Sequence, residues 1–594
     1  MYFKNLSGLA LAGLVCLSFP SLADDELIDS DEVIVVTASR SEQALSASLA
    51  SVTVIDRDQI EISQAPDLLE LLRQEAGVDM ARTGGPGGQT SLFLRGSNSN
   101  HVLVLIDGVR VSAAGTGAFA WELLDPNLIE RIELVRGPRA ARWGSDAIGG
   151  VIQIFTRQAR GMGVRVGYGR YRDRSIAATM GSGQAGLTVA ARRVGGFSSQ
   201  NERGFAFDPD DDGFQNFSAA TSGHSVVGPG QLNWSARLAT GESEFDQGES
   251  DFLNYAASLE YQFASQGPWH WLTSMSLYRD RLETATPFGE SEAITRRVQT
   301  AFQGQRSLAE DNHWLVGVDA WRESGVSRQQ WSEQRYNVGL WTGFDGRFGA
   351  LEHETSIRLD RDEHFGNAVS GNIAVGWSLA DNWRMMAAVG RAFRAPNFNQ
   401  LFSPGFGGFF AGNPDLDPET SWNTELGLHW QPAARQRLTL AVFETRIDDL
   451  IDFSGTDFQA INIRKARIRG AEIAYEYSSI DWRSRAQASW QDSEDRDTGQ
   501  PLLRRAKENA SLTLDRMFGG NWIGAEIVHV GSRLDVGQQD MPSHTLINLR
   551  AGYELPAGFR LEGRVENLTD RDYEQVFGFN THRRSLFVAV SWEG

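Results

Sequence analysis

The chain has 594 residues and is acidic, with 76 Asp and Glu against 56 Lys and Arg and a formal net charge of −20. Such a surface speaks against a nucleic-acid partner and suits divalent cations or cationic groups. Beyond the first residues, no apolar run approaches the ~20 residues of a membrane-spanning helix.

The opening stretch MYFKNLSGLALAGLVCLSFPSLA combines Lys4, an apolar run from Leu6 to Phe19, and small residues at Ser21 and Ala23. It reads as a secretory leader over residues 1–23, cleaved after Ala23 and excluded from the fold. Its loss removes one positive charge and leaves −21. It also removes Cys16, the only cysteine, so disulfides, thiolate metal sites and cysteine nucleophiles are excluded from the exported chain. Residues 24–39 then read as an acidic tether. Within it, EVIVVTA (Glu32, Val33, Ile34, Val35, Val36, Thr37, Ala38) is a bare β-branched strand in want of a partner. It pairs either within its own fold or with another protein.

Residues 40–158 read as a compact α/β domain. SVTVIDRDQI and HVLVLIDGVRV are strand-like, the second apolar enough to be buried. APDLLELLRQEAG predicts a short helix, with Pro66 in its first turn, Leu68, Leu71 and Leu72 on one face, and Gly77 at its end. LIERIELVRGPRAARWGSDAIGGVIQIFTR predicts strand, turn, short segment, turn and strand. Arg95, Arg136, Arg139 and Arg142 cluster here, as expected of ion pairs to a surrounding wall.

From residue 159 to 594 the pattern is period-2 alternation. Ile357 and Leu359 alternate with Arg358 and Asp360; Phe559, Leu561 and Val565 alternate with Arg560, Glu562, Arg564 and Glu566. One sandwich is too small for such an array, and no short repeat supports a solenoid. An apolar outside around a charged inside predicts a closed transmembrane β-barrel, with about 20 or more strands at ~20 residues per strand and connection. Tyr168, Trp383 and Tyr553 fit interfacial girdles, and the preceding domain fits a plug for so wide a barrel.

The loop DPDDDGF places Asp208, Asp210, Asp212 and Gly213 at the spacing of calcium loops. Ala219 stands where an EF-hand needs its bidentate glutamate, so further ligands must come from elsewhere, and Asp246 and Asp251 in SEFDQGESDF are candidates. The alternative is a solvated acidic loop. GSGQAG (Gly181–Gly186) leads into alternating residues and reads as a hairpin turn rather than a dinucleotide site. The ten histidines show no zinc spacing, and no nucleophile elbow is present, so nothing in the sequence argues for catalysis.

The combination of EVIVVTASR, SLFLRGSNSNHVLVLIDGVRV, IERIELVRGPRAARWGSDAIGGVIQIFTR, RAFRAPNFNQLF, GNPDLDPETSWNTELGL and ENLTDRDY resembles the TonB-dependent outer-membrane transporters, over essentially the whole exported chain. The resemblance implies 22 antiparallel strands around an N-terminal plug and uptake energised through the inner-membrane protein TonB. Glu32–Ala38 is then similar to the Ton box that adds itself to a TonB sheet edge. GSDAIGGVIQI, KARIRGAE and PLLRRAK bring the chain nearest to the family members that take up cobalamin. Carried over by position, that resemblance places substrate contacts at Gln89, Ser91, Asn98, Thr116 and Gly117, of which Gln89 and Gly117 depart from the pattern. It further implies calcium in the extracellular loops, outer-membrane lipid around the barrel, a corrinoid ligand and an accessory surface lipoprotein. Import of a ferric siderophore or heme, or a passive barrel without coupling, are the competing readings. The chain ends on Trp592, Glu593 and Gly594, not on the aromatic residue with which such barrels finish.

Overall fold

The computed structural model describes residues 35–36, 40, 43–45 and 48–594, apart from 265–266, 310, 406–410 and 455–458. Twenty-two strands, from Arg160–Gly169 to Ser585–Glu593, form one closed antiparallel barrel. Closure is made by the first and last strands, with Val166 opposite Val590 and Tyr168 opposite Val588. Gly594 adds to it, donating its N–H to the Met162 carbonyl at 2.9 Å and accepting from Met162 N–H at 3.1 Å. The two residues after Trp592 therefore prolong the closing ladder.

Alternation sorts the side chains as the pattern requires. Ile357 and Leu359 are exposed on the outer wall, whereas Arg358 and Asp360 are buried inside. Inward charges survive burial by pairing: Arg358 bonds both Asp319 at 2.7 Å and Asp360 at 2.8 Å. Tryptophans gather near one rim, where Trp383 stacks on Trp430 at 5.0 Å and Trp269 on Trp271 at 4.8 Å. Turns at this rim are short (183–184, 349–350, 434–435), whereas the opposite rim carries the long connections 195–213, 395–418, 496–507 and 567–584. Short turns face the periplasm and long loops the outside in such barrels, which orients the molecule.

The plug fills the lumen. Its five-stranded sheet runs in the order Val52–Ile55, Ile129–Arg136, Gly150–Thr156, Val102–Ile106, Val109–Arg110, with the third and fourth parallel. Val102–Ile106 is buried throughout, as its continuous apolar run requires. Two details differ from the sequence reading. SVTVIDRDQI is not all strand: the strand stops at Ile55, and Asp56 caps a helix over Arg57–Ser63. The Asp56 carboxylate accepts from Gln59 N–H at 2.8 Å, and the Gln59 side chain accepts from Asp56 N–H at 3.3 Å, a reciprocal pair that outweighs the β-branched run before it. The next helix is only Leu68–Leu72, capped by Asp67, so Pro66 precedes the cap and Gly77 lies in the following turn.

Candidate functional site

At the outer rim the plug presents a Gly-rich hairpin between the paired strands Val78–Arg82 and Thr90–Leu94. Its glycines permit contact with the wall: a Cβ on Gly87 would lie 2.4 Å from the Phe214 ring, and Ser243 Oγ donates to the Gly87 carbonyl at 3.0 Å. Gln89 is exposed at this tip, and Ser91, opposite Ala81, is half-buried. The next plug turn carries Asn98, also half-buried. The third apex is held by a tight turn at Gly117 (φ 72°), whose N–H donates to the Ala113 carbonyl at 2.7 Å. Thr116 is exposed there. Gln89, Asn98, Thr116 and Gly117 thus lie in plug turns, and Ser91 lies in the strand Thr90–Leu94 that leaves the first of them.

Residues that the sequence reading did not single out fix these apices. Arg505, from the loop 496–507, donates to Asn98 Oδ1 at 2.5 Å and to the Gly96 carbonyl at 3.2 Å, and lies 4.1 Å over the Phe93 ring. Burial pushes its pKa down to about 10, so it keeps its charge at neutral pH. Asn397 Nδ2 donates to the Thr116 carbonyl at 3.0 Å, and Phe398 N–H to the Ala114 carbonyl at 3.0 Å. Arg505 lies within the quoted stretch PLLRRAK, but only loop folding could show where its arginine reaches. Arg82, by contrast, turns away from the rim into an ion pair with Asp67 at 2.8 Å.

Below the apices, plug and wall are joined by charge. Arg95 pairs with Glu425 at 2.7 Å and Glu472 at 2.8 Å, Arg139 with Glu354 at 2.7 Å, and Arg142 with Asp345. Arg136 reaches Glu472 at 3.8 Å. His101 sits in the short turn Ser99–His101, not in the strand, and is 2.6 Å from Glu419, which Arg394 also holds at 2.6 Å.

The acidic residues separate into two groups. Asp246 accepts from Gln200 N–H at 2.5 Å, Asp208 N–H at 3.0 Å and Ser198 Oγ at 3.2 Å, while Asp212 accepts from Ser199 N–H at 2.6 Å. Burial pushes the Asp212 carboxyl up to about 6, and the charges of Asp246 and Asp210 add to this. Asp251 does not join them. It follows the pleat to the outer face, opposite to that of the buried Phe252 and Asn254, and pairs in register with Glu242 and Glu283. Among the described residues no three His, Cys, Asp or Glu side chains are gathered closely enough to hold a metal ion as the loop stands.

Residues 183–568 match the family model of the TonB dependent receptor-like β-barrel, and residues 44–151 match that of the TonB-dependent receptor plug domain. The chain belongs to the TonB-dependent receptors. It is 30% identical to the vitamin B12 transporter BtuB of Vibrio vulnificus, over 96% of each chain. To the vitamin B12 transporter BtuB of Photobacterium profundum it is 28% identical, over 99% of this chain and 100% of that protein. Among solved structures it resembles a ferric enterobactin receptor mutant from Pseudomonas aeruginosa (TM-score 0.77, 17% identity, 94% of this chain and 100% of that one). It also resembles the ferric-catecholate import receptor Fiu of E. coli (TM-score 0.77, 14% identity, 93% and 98%). These structural likenesses show the fold alone.

The receptor is therefore an outer-membrane transporter of a Gram-negative cell, in a family whose transport depends on TonB. At its periplasmic end a cavity of about 350 Å³ separates the receptor's first plug strand, Val52–Ile55, from wall residues including Arg384, His429 and Arg485. Of the Ton-box segment only Val35–Val36 is described, as a two-residue strand antiparallel to Gln43–Ala44 and apart from the plug sheet. Glu32, Val33, Ile34, Thr37 and Ala38 lie outside the described residues, as does the leader.

Proposed function

We propose that this receptor imports cobalamin or a related corrinoid, binding it on the plug apices and releasing it to the periplasm when TonB engages Glu32–Ala38. The observation that carries the reading is full-length similarity to two vitamin B12 transporters. The chemistry of the apices agrees with it. Cobalamin is large and rich in amide arms, so its pocket needs neutral donors and acceptors at close approach. Gln89, Ser91, Asn98 and Thr116 supply these on Gly-rich turns. The Arg505 guanidinium beside Asn98 is taken up by the Asn98 and Gly96 oxygens and the Leu503 carbonyl, and is not presented as a ring of positive charge for an anionic ferric complex. The plug is ion-paired to the wall across the lumen, so passage requires the plug to rearrange.

Equilibrium titration of the purified receptor with cobalamin, heme and ferric enterobactin tests the assignment. Cobalamin is expected to bind at micromolar concentration or below, and the other two not to compete. Each hydrogen bond lost to a neutral amide costs on the order of 1 kcal/mol. Ser91→Ala with Asn98→Ala is accordingly expected to weaken cobalamin binding roughly tenfold to a few tens-fold. No corrinoid binding, together with uptake of a ferric complex, would replace the substrate while leaving the transporter class intact.

Calcium is proposed as an ordering ion for the loop 195–213, resting on the sequence spacing of Asp208, Asp210 and Asp212 and on the charges of Asp210 and Asp246 near Asp212. The Asp212 and Asp246 carboxylates are now held by main-chain amides, so a cation has to draw the four together, and Asp251 is placed on the wrong face to contribute. Calcium is expected to raise ligand affinity in the parent, and Asp210→Asn with Asp212→Asn to abolish that dependence. Equal affinity in calcium and in chelator would leave the loop as a hydrogen-bonded acidic turn.

A further inference from the structure

We infer that the outer wall beside the barrel's closing seam carries a binding site for the phosphorylated headgroup of an outer-leaflet lipid. In the barrel register Tyr168 lies opposite Arg174, Arg174 opposite Arg193, and Arg193 opposite Gln215, forming one cross-strand row. All of these side chains are on the exterior face, and Arg174 and Arg193 are exposed. One pleat nearer the membrane centre the row is apolar: Val590, Val166, Ile176, Ala191 and Phe217. The two arginines therefore stand where hydrocarbon gives way to headgroups on the side of the long loops. A groove of about 610 Å³ runs over both rows, lined by Tyr168, Ile176 and Phe217 as well as the arginines.

Like charges directly opposite on neighbouring strands destabilise a sheet, and no acid stands directly opposite Arg174 or Arg193. Neither Arg174 nor Arg193 has an ion-pair or hydrogen-bond partner among the described residues. Two further exposed arginines stand above the row. Arg170 donates to the Arg584 carbonyl, and Arg584 to the Leu568 carbonyl at 3.5 Å. Of the nearby acids, Asp570 accepts from Arg583 at 3.3 Å and from Arg584 N–H at 2.9 Å, and Asp211 pairs with Arg172 at 3.1 Å. The row itself turns acidic beyond Gln215, with Glu242, which accepts from Gln215 at 2.6 Å, then Asp251 and Glu283. Three other outward arginines are neutralised in place, Arg281 by Glu292 at 2.9 Å, Arg446 by Glu444 at 2.6 Å and Arg469 by Asp492 at 3.4 Å. Arg279 and Arg296, also outward and opposite each other, have no ion-pair partner among the described residues, but they do not adjoin the groove. In a protein of net charge −20, an unpaired arginine pair above an apolar groove calls for an anion that also has acyl chains. Phosphate fits the guanidinium fork, and the groove takes the first part of a chain.

Native mass spectrometry of the detergent-purified receptor with purified lipopolysaccharide tests this. The parent is expected to retain one lipopolysaccharide molecule through detergent exchange. Arg174→Gln with Arg193→Gln is expected to weaken retention roughly tenfold or more, as is chemical dephosphorylation of the lipid. The control Arg281→Gln with Arg446→Gln is expected to retain it as the parent does. Circular-dichroism melts confirm that both variants are folded. Equal retention by parent and Arg174→Gln/Arg193→Gln, or by phosphorylated and dephosphorylated lipid, overturns the proposal. Displacement of the lipid by millimolar inorganic phosphate overturns it as well, because the site would then be one for free anions.

Discussion

A receptor carrying Val36→Pro is expected to bind its substrate normally at the cell surface and to transport none of it. Apart from the Glu32 carboxylate and the Thr37 hydroxyl, the segment Glu32–Ala38 offers only apolar and mostly β-branched bulk, so the proposed coupling to TonB rests on main-chain N–H and C=O groups added to a sheet edge. Proline removes one of those donors and fixes φ near −65°, away from an extended strand. The structure adds a control. Val36 is paired with Gln43 in a two-residue ladder within the chain itself, so the segment must leave that ladder before it can join another. Gln43→Pro disrupts the same internal ladder while keeping every donor of Val36, and uptake is expected to persist in it. Radiolabelled cobalamin uptake and surface binding, measured on both variants, separate the outcomes. Normal uptake by Val36→Pro would make the segment a spacer.

The second large effect is expected from Arg95→Ala. Arg95 is buried between plug and wall, and its guanidinium serves both Glu425 and Glu472, with its face 4.4 Å over the Phe443 ring. Truncation leaves two buried carboxylates offset only by Arg136, 3.8 Å from Glu472, and by the Ser51 hydroxyl on Glu425. Breaking a buried pair in this way costs about 3–5 kcal/mol, because the remaining charge is uncompensated. The cost falls on plug seating and not on the barrel, whose ladders do not depend on Arg95. The expected results are a lowered plug melting transition beside an unchanged barrel transition, and raised ion conductance through the receptor in planar bilayers. Arg95→Ala combined with Glu425→Gln and Glu472→Gln removes the stranded charges and is expected to recover much of the seating. An unchanged conductance in Arg95→Ala would show that the remaining contacts hold the plug without this triad.

The membrane barrel and its plug were legible in the residues because both are written in short-range patterns. Alternation such as Ile357, Arg358, Leu359, Asp360 specifies which face each side chain takes, since a strand has a period of two. The GSGQAG stretch reads as a turn, and the chain does turn there, between Arg174–Ser182 and Ala185–Val194. The helix after Asp56 was equally local, a reciprocal cap three residues long, but a β-branched run in front of it masked the signal. What no local pattern contains is the partner across the lumen. Arg505 meets Asn98 across 407 residues, and Arg95 meets Glu425 across 330, and both depend on where twenty-two strands bring their ends when the sheet closes. Strand register likewise set Arg174 against Arg193. Composition and periodicity determined the architecture, because each strand obeys its own pleat. The contacts of the site were decided only by register and closure, which are properties of the whole sheet.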